Sequence, residues 1–175
     1  MTITTEAELE KLKAIGRVCA VARDAMAAAL APGITTQQLD DIGRRILDAA
    51  GARSAPEITY DFPGATCISV NEEIAHGIPG SRVIQAGDLV NIDVSAELDG
   101  VFADTGASFL VPEADPRLVT LCRDGKRAMW EGIRAVKTGA PLNGIGIAIG
   151  AFAKKHRYTL IENLASHGVG DSLHD

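Results

Sequence analysis

Cysteine is scarce in this chain. Cys19, Cys67 and Cys122 are its three cysteines, an odd number at wide spacings with no Cys-x-x-Cys pair. That excludes a disulfide framework and a zinc knuckle, and it fits a reducing, cytoplasmic setting. Long apolar runs are missing too. The Ala-rich stretch from Ala25 to Ala31 falls far short of the ~20 residues of a membrane span, and the opening Met-Thr-Ile-Thr-Thr-Glu-Ala-Glu has neither the basic nor the apolar segment of a signal peptide. Positive charge is in deficit: 17 Lys and Arg stand against 23 Asp and Glu, a net charge of −6. This disfavours direct nucleic-acid binding or an anionic membrane as the main partnership, without excluding a local basic patch. Low-complexity segments, solenoid repeats and a P-loop are absent. What remains is a chain of 175 residues with ordinary globular composition, the length of one domain able to bury roughly two-thirds of its unfolded surface.

Thr5 followed by Glu8 is a capping box, and Leu9, Leu12, Ile15, Cys19, Ala22, Met26 and Leu30 recur at steps of three or four. The spacing predicts a long amphipathic helix ending at Pro32-Gly33. Thr35-Thr36 opens a second helix through Leu39, Ile42, Ile46 and Ala49 to a C-cap at Gly51. From Pro56 the period changes. Ala65–Val70, Leu89–Ala96 and Val101–Val111 are β-rich runs between Gly, Pro and Asp, which predicts antiparallel sheet. Helical spacing returns at Leu118, Leu121, Met129, Ile133 and Val136, and again from Leu142 to Phe152 despite its glycines. Tyr158 to Leu164 reads as a further strand. The order is that of an α+β protein, not of alternating βαβ units.

The run Leu89-Val90-Asn91-Ile92-Asp93-Val94 places a carboxylate inside an apolar strand, which is costly without a compensating partner. Asp99-Gly100 is a two-residue hairpin signal. It sets Asp104 opposite Ser95 and makes it the diagonal neighbour of Asp93 on the same face. Two like charges at roughly 5–8 Å repel, and no Lys or Arg lies between residues 83 and 116. A divalent cation or a pair of them would neutralise the two, as in two-metal hydrolytic sites. On the carboxylates alone a structural reading stands equally, with Asp93 satisfied by backbone donors and Asp104 an exposed strand residue.

His76, His167 and His174 sit among Gly and Pro in Ala75-His76-Gly77-Ile78-Pro79, Ser166-His167-Gly168-Val169-Gly170 and Leu173-His174-Asp175. Such segments suit loops that deliver an imidazole to a site, and they suit ordinary turns as well. His156, after Lys154-Lys155, reads as a solvated charge at a helix C-terminus. Gly144-Ile145-Gly146 with Gly150 has the wrong spacing for a dinucleotide loop and reads as helix packing. Cys67 has no flanking base and reads as a pocket wall rather than a nucleophile.

Taken together, Cys67-Ile68-Ser69-Val70-Asn71-Glu72 with His76-Gly77-Ile78-Pro79, Gly87-Asp88 leading into the Asp93 strand, Asp104-Thr105 and His167-Gly168-Val169-Gly170 closely resemble the type I methionine aminopeptidases, from the opening helix to residue 175. The resemblance implies a pita-bread fold of two pseudo-symmetric α+β halves around a dinuclear metal centre, a single catalytic domain over residues 1–175. It implies Asp93, Asp104 and His167 as metal ligands. His76 would lie by the scissile amide, and His174 would contact the substrate carbonyl and the developing oxyanion. Phe62 and Cys67 fall where the family builds its methionine pocket, with Tyr60 a further candidate in a loop that departs from the commonest pattern.

The implied reaction is removal of the initiator methionine from nascent chains. A water bridging two divalent ions (Co, Mn, Fe or Zn) is deprotonated near neutral pH and attacks the methionyl carbonyl. The implied setting is a cytoplasmic monomer, with the ribosome exit region as a further contact. The family also uses two glutamates from strands that follow the His-Gly segments. Glu162 precedes His167 and cannot replace them, so the sequence reads as lacking the C-terminal strands of its second half. Two other readings stay open: a non-catalytic pita-bread binding module, and another hydrolase of the same fold such as an Xaa-Pro aminopeptidase.

Overall fold

The structure, a computed structural model, describes residues 2–175. Helix α1, Glu6–Ala29, begins at the expected capping box: Thr5 accepts from the Glu8 amide while Glu8 accepts from the Thr5 amide. Its fully buried residues Ile15, Cys19, Ala22 and Met26 follow the predicted stripe. A second capping box, Thr35 with Gln38, opens α2, Thr36–Ala49, which buries Leu39 and Leu47 against the same core. These side chains meet an antiparallel sheet built on a long central hairpin.

That hairpin joins β3, Leu89–Leu98, to β4, Val101–Leu110, with Leu98 opposite Val101 and Ser95 opposite Asp104, the register set by the Asp99-Gly100 turn. Both turn residues have positive φ, 53° and 83°, as a type I′ turn requires. β4 fills one edge of β3 along its length. The other edge is shared by β1, Arg53–Ser54, and by β2, Cys67–Val70, whose Cys67 lies opposite Asp93. Alternation then sorts the faces. Val90, Ile92, Val94 and Ala96 point into the helix-covered core and are fully buried, so Asn91, Asp93, Ser95 and Glu97 point to the opposite face. Asp93 therefore looks out of the core rather than into it.

Two elements escaped the sequence reading: β1, too short for any period, and α3, Ala55–Tyr60. The signal for α3 was present, since Ser54 caps the Glu57 amide and Pro56 fills the first turn.

The described chain divides into two compact units, residues 2–114 with 167–175, and Asp115–Ser166. The second pairs α4, Pro116–Ala135, with α5, Gly144–His156. In α5, Ile145 and Ile149 lie against Gly132 of α4, and this packing compensates for the low helix propensity of its glycines. The expected strand from Tyr158 to Leu164 does not form. Residues 158–164 are loop and turn, with no neighbouring strand among the described residues. A lone β run leaves its backbone groups unpaired, and Tyr158 is anchored instead through its amide on Ala153 O and its hydroxyl on Asp124. His156, expected as a solvated charge, is half-buried and stacked on Phe152 at the end of α5. Among the described residues no helix is long and apolar enough to cross a membrane.

Candidate active site

The sheet face away from the helices supplies the first group of side chains. Strand alternation puts Cys67, Asp93, Ser95 and Asp104 on that face, because Cys67 pairs with Asp93 and Ser95 with Asp104. The approach to Cys67 is fixed from below. Asp40, fully buried in α2, accepts from the Ala65 amide at 3.2 Å, the Thr66 amide at 2.8 Å and the Thr66 hydroxyl at 2.7 Å, while Ser54 donates to Ala65 O at 2.9 Å. This pins Ala65 and Thr66 beside the strand, while the Phe62 amide donates to Pro56 O at 3.3 Å.

His76 arrives on a loop docked to the free edge of β2. The Ile68 amide donates to Gly77 O at 2.9 Å, and the Gly77 amide donates to the buried Ser69 hydroxyl at 3.0 Å. Thr36 closes the far end of the loop by exchanging hydrogen bonds with Gly80. Only glycine fits at position 77, where a Cβ would stand 2.1 Å from Ile68 O. His76 itself is held at φ 56°, a left-handed conformation that costs a non-glycine residue about 1 kcal/mol or more and persists where surroundings impose it.

The segment 167–175 returns to this unit through the Phe102 amide, which donates to Gly170 O at 2.7 Å. It brings His167, Leu173 and His174. His167 Nδ1 bonds Gly168 O at 2.9 Å; a carbonyl can only accept, so that nitrogen carries the proton. Nε2 then faces Asp104 Oδ2, 3.5 Å away. The His174 ring packs edge-on against His167 at 4.1 Å, and its Nδ1 is hydrogen-bonded to the Tyr60 hydroxyl.

These pieces enclose a cavity of about 430 Å³ lined by Phe62, Cys67, His76, Asp93, Asp104, His167 and His174, that is, every residue singled out from the sequence, together with Tyr60. Pro56, Ser95 and Leu173 complete it. The sequence reading counted none of the three in the site, although it had already set Ser95 opposite Asp104.

Burial pushes the Asp93 carboxyl up to about 7, reinforced by the charge of Asp104 and by the hydrogen bond that protonated Asp93 makes to it. Burial also drives the Cys67 thiol up to about 12, with Asp93 and Asp104 adding to the effect. Cys67 is thus a neutral side chain in the cavity wall. Asp93, Asp104 and His167 form a chain of contacts rather than a closed cluster, and among the described residues no three His, Cys, Asp or Glu side chains converge on one point to hold a metal ion. Their chemistry nonetheless fits a divalent cation. Two carboxylates and an imidazole nitrogen face one another, and among the described residues no Lys or Arg pairs with either aspartate.

The sheet, the docked His-Gly loop and the acidic cavity define a class. The chain belongs to metallopeptidase family M24, whose pattern matches residues 10–175. Its fold is the pita-bread fold of that family. Within it the chain is 49% identical to methionine aminopeptidase 2 of Bacillus subtilis, over 100% of this chain and 71% of that protein. It is 50% identical to a methionine aminopeptidase of Staphylococcus epidermidis, over 100% of this chain and 70% of the relative. The crystal structure of methionine aminopeptidase from Rickettsia prowazekii superposes with a TM-score of 0.95 at 35% identity, over 100% of this chain and 71% of that one. A prolidase from Pyrococcus furiosus shares the fold alone, at 20% identity and a TM-score of 0.87 over 99% of this chain and 50% of its own.

Proposed function

We propose that this chain carries the cavity of a methionine aminopeptidase, a metal-dependent exopeptidase that removes the N-terminal methionine of newly made polypeptides. The observation that carries the reading is the convergence of Asp93, Asp104, His167, His76 and His174 on one cavity with an apolar wall of Phe62, Cys67, Pro56 and Leu173, in a chain about half identical to such enzymes over its whole length.

Asp93, Asp104 and His167 would hold divalent metal, two ions in the full site, with Mn, Fe, Co and Zn all compatible with such ligands. When bound, the metal acts as a Lewis acid on the scissile carbonyl and lowers the pKa of water. The rest falls to the chain's own side chains. The His167 Nδ1–H bond to Gly168 O keeps Nε2 available as a ligand. His76 hydrogen bonds the scissile amide from its docked loop. His174, held by Tyr60 at Nδ1, offers its other nitrogen to the substrate carbonyl and to the charge that develops there. Phe62 and Cys67 receive the methionine side chain, whose thioether packs well on aromatic rings and sulfur. The setting is cytoplasmic and the enzyme monomeric, with the ribosome exit region as a contact. The three free cysteines accord with a reducing compartment.

The test uses the protein with the two further glutamates of the site present and measures methionine release from Met-Ala-type, Leu-Ala-type and Xaa-Pro peptides, together with metal content. Release from the methionine peptide alone, a cation-dependent rise in Tm and loss of that rise in Asp93→Asn are expected. Preference for proline in second position without a methionine in first, or stoichiometric metal without turnover, would overturn the reading.

A further inference from the structure

A net charge of −6 argues against a nucleic-acid partner, yet it conceals a partition. Residues 115–166 carry nine Lys and Arg against four Asp and Glu, a net of +5, while the remaining residues carry eight against nineteen, a net of −11. A surface is recognised by its local charge, not by the sum over the chain.

Within this basic unit Asp124 of α4, 4% exposed, organises two arginines. Its Oδ1 accepts from Arg123 Nε at 3.0 Å and from Arg127 Nη1 at 3.3 Å, and its Oδ2 accepts from the Tyr158 hydroxyl at 3.0 Å. The Arg127 guanidinium lies over the Phe152 ring, 5.4 Å from its centroid, and Phe152 in turn stacks on His156 at 4.2 Å. Each guanidinium is thereby fixed on one side. Both side chains are still more than half exposed, at 62% and 55%, with their remaining N–H groups open to solvent. A guanidinium held in place loses little freedom on binding, and its planar fork matches phosphate oxygens.

The surroundings extend the positive surface. Lys154, Lys155 and Arg157 at the end of α5 are exposed and make no ion pair among the described residues. Trp130, the one tryptophan of the chain, is 44% exposed and lies three and seven residues beyond Arg127 and Arg123, on the same face of α4. An indole beside two arginines offers a stacking platform next to phosphate donors, the combination that single-stranded nucleic acid uses. Charges spread over two helices suit a polymer of phosphates rather than one small anion. A lipid surface would make no use of the fixed forks.

We propose that α4 and the basic end of α5 bind single-stranded RNA, with Arg123 and Arg127 on backbone phosphates, Lys154, Lys155 and Arg157 on the neighbouring ones, and Trp130 under a base. The proposal is independent of the catalytic reading. In fluorescence-anisotropy titrations of the full chain with an end-labelled single-stranded RNA of about 20 nucleotides, log K should fall with log salt by ~0.7 per phosphate contacted, and in the parent Trp130 emission should be quenched on binding. The combined Lys154→Gln, Lys155→Gln, Arg157→Gln variant should bind about tenfold or more weakly, with the salt slope reduced by about 2. Trp130→Leu should lose about tenfold in affinity with its slope intact. All four substituted side chains being exposed, circular dichroism should show both variants folded. No binding at about 50 mM salt, variants that bind like the parent, or tighter binding to phosphatidylserine–phosphatidylcholine vesicles than to RNA would each overturn the proposal.

Discussion

Replacing Gly77 by alanine tests how the fold places His76. The new Cβ would stand 2.1 Å from Ile68 O, 2.7 Å from Ile68 C and 2.8 Å from Ser69 Cα. All three are backbone atoms of the strand, so the strand cannot yield without losing its own pairing to β3. The loop must move instead, giving up the Ile68 amide to Gly77 O bond at 2.9 Å and the Gly77 amide to Ser69 hydroxyl bond at 3.0 Å. At about 1 kcal/mol net for each bond the direct loss is roughly 2 kcal/mol. Residual crowding adds about 1–3 kcal/mol if the loop stays near its place. Release of the left-handed strain at His76 returns ~1 kcal/mol if the loop leaves. Undocking is therefore cheaper than crowding, and the change should be local.

Three readings of Gly77→Ala follow from that balance. Amide exchange at Ile68 should accelerate while the amides of β3 keep their protection; the melt should fall by only a few degrees; and methionine release should drop by about two orders of magnitude, because misplacing a catalytic group by ~1 Å costs that much. Ser69→Ala, which removes one of the two bonds without a clash, should fall between the variant and the parent. Unchanged exchange at Ile68 together with unchanged methionine release in Gly77→Ala would refute this account of the loop.

Asp40→Ala should destabilise the protein by about 3 kcal/mol in denaturant unfolding, because it strips a buried hub from the Ala65 and Thr66 donors; a loss below ~1 kcal/mol would show that these donors find other partners. The Arg123 hydrogen bond, with help from Tyr158 and Arg127, holds the Asp124 carboxyl below its ordinary value. That stabilisation is present above the unfolded carboxylate range and is lost as pH falls through the depressed folded value, so Asp124→Asn should flatten the acid limb of the melting profile; an unaltered limb would count against the pairing. Burial lifts the Cys19 and Cys67 thiols to about 12, so iodoacetamide at about pH 8 should modify half-buried Cys122 first and the other two only on unfolding. Mass mapping that finds Cys67 labelled first in the native protein would contradict its place in the cavity wall.

Local rules carried a large part of the fold. The Thr5–Glu8 capping box, the start of α2 at Thr35-Thr36, the stripe Ile15–Cys19–Ala22–Met26 and the Asp99-Gly100 turn act within a few residues, and each forms as the spacing predicts. The turn alone placed Asp104 opposite Ser95 and hence beside Asp93. What failed was of two kinds. β1 and α3 are too short for a period to emerge, so Arg53–Ser54 pairs with β3 only because the sheet offers an edge. The stretch from Tyr158 to Leu164 had strand-like residues but no strand to join among the described residues, and Asp124 holds Tyr158 instead.

The sequence by itself determined the residue types of the site and the sheet face on which Asp93 and Asp104 meet, because strand alternation and turn register are properties of neighbouring residues. Tertiary structure decided the rest. Residues 67, 76, 104 and 174 share one cavity only because the Gly77 loop docks on β2 and the 167–175 segment returns to β4. It also decided that the basic stretch 115–166 folds as one compact unit and the acidic remainder as another. Contacts between distant residues depend on shape and packing, which no short window of sequence contains; a sum over all charges likewise carries no record of where they lie.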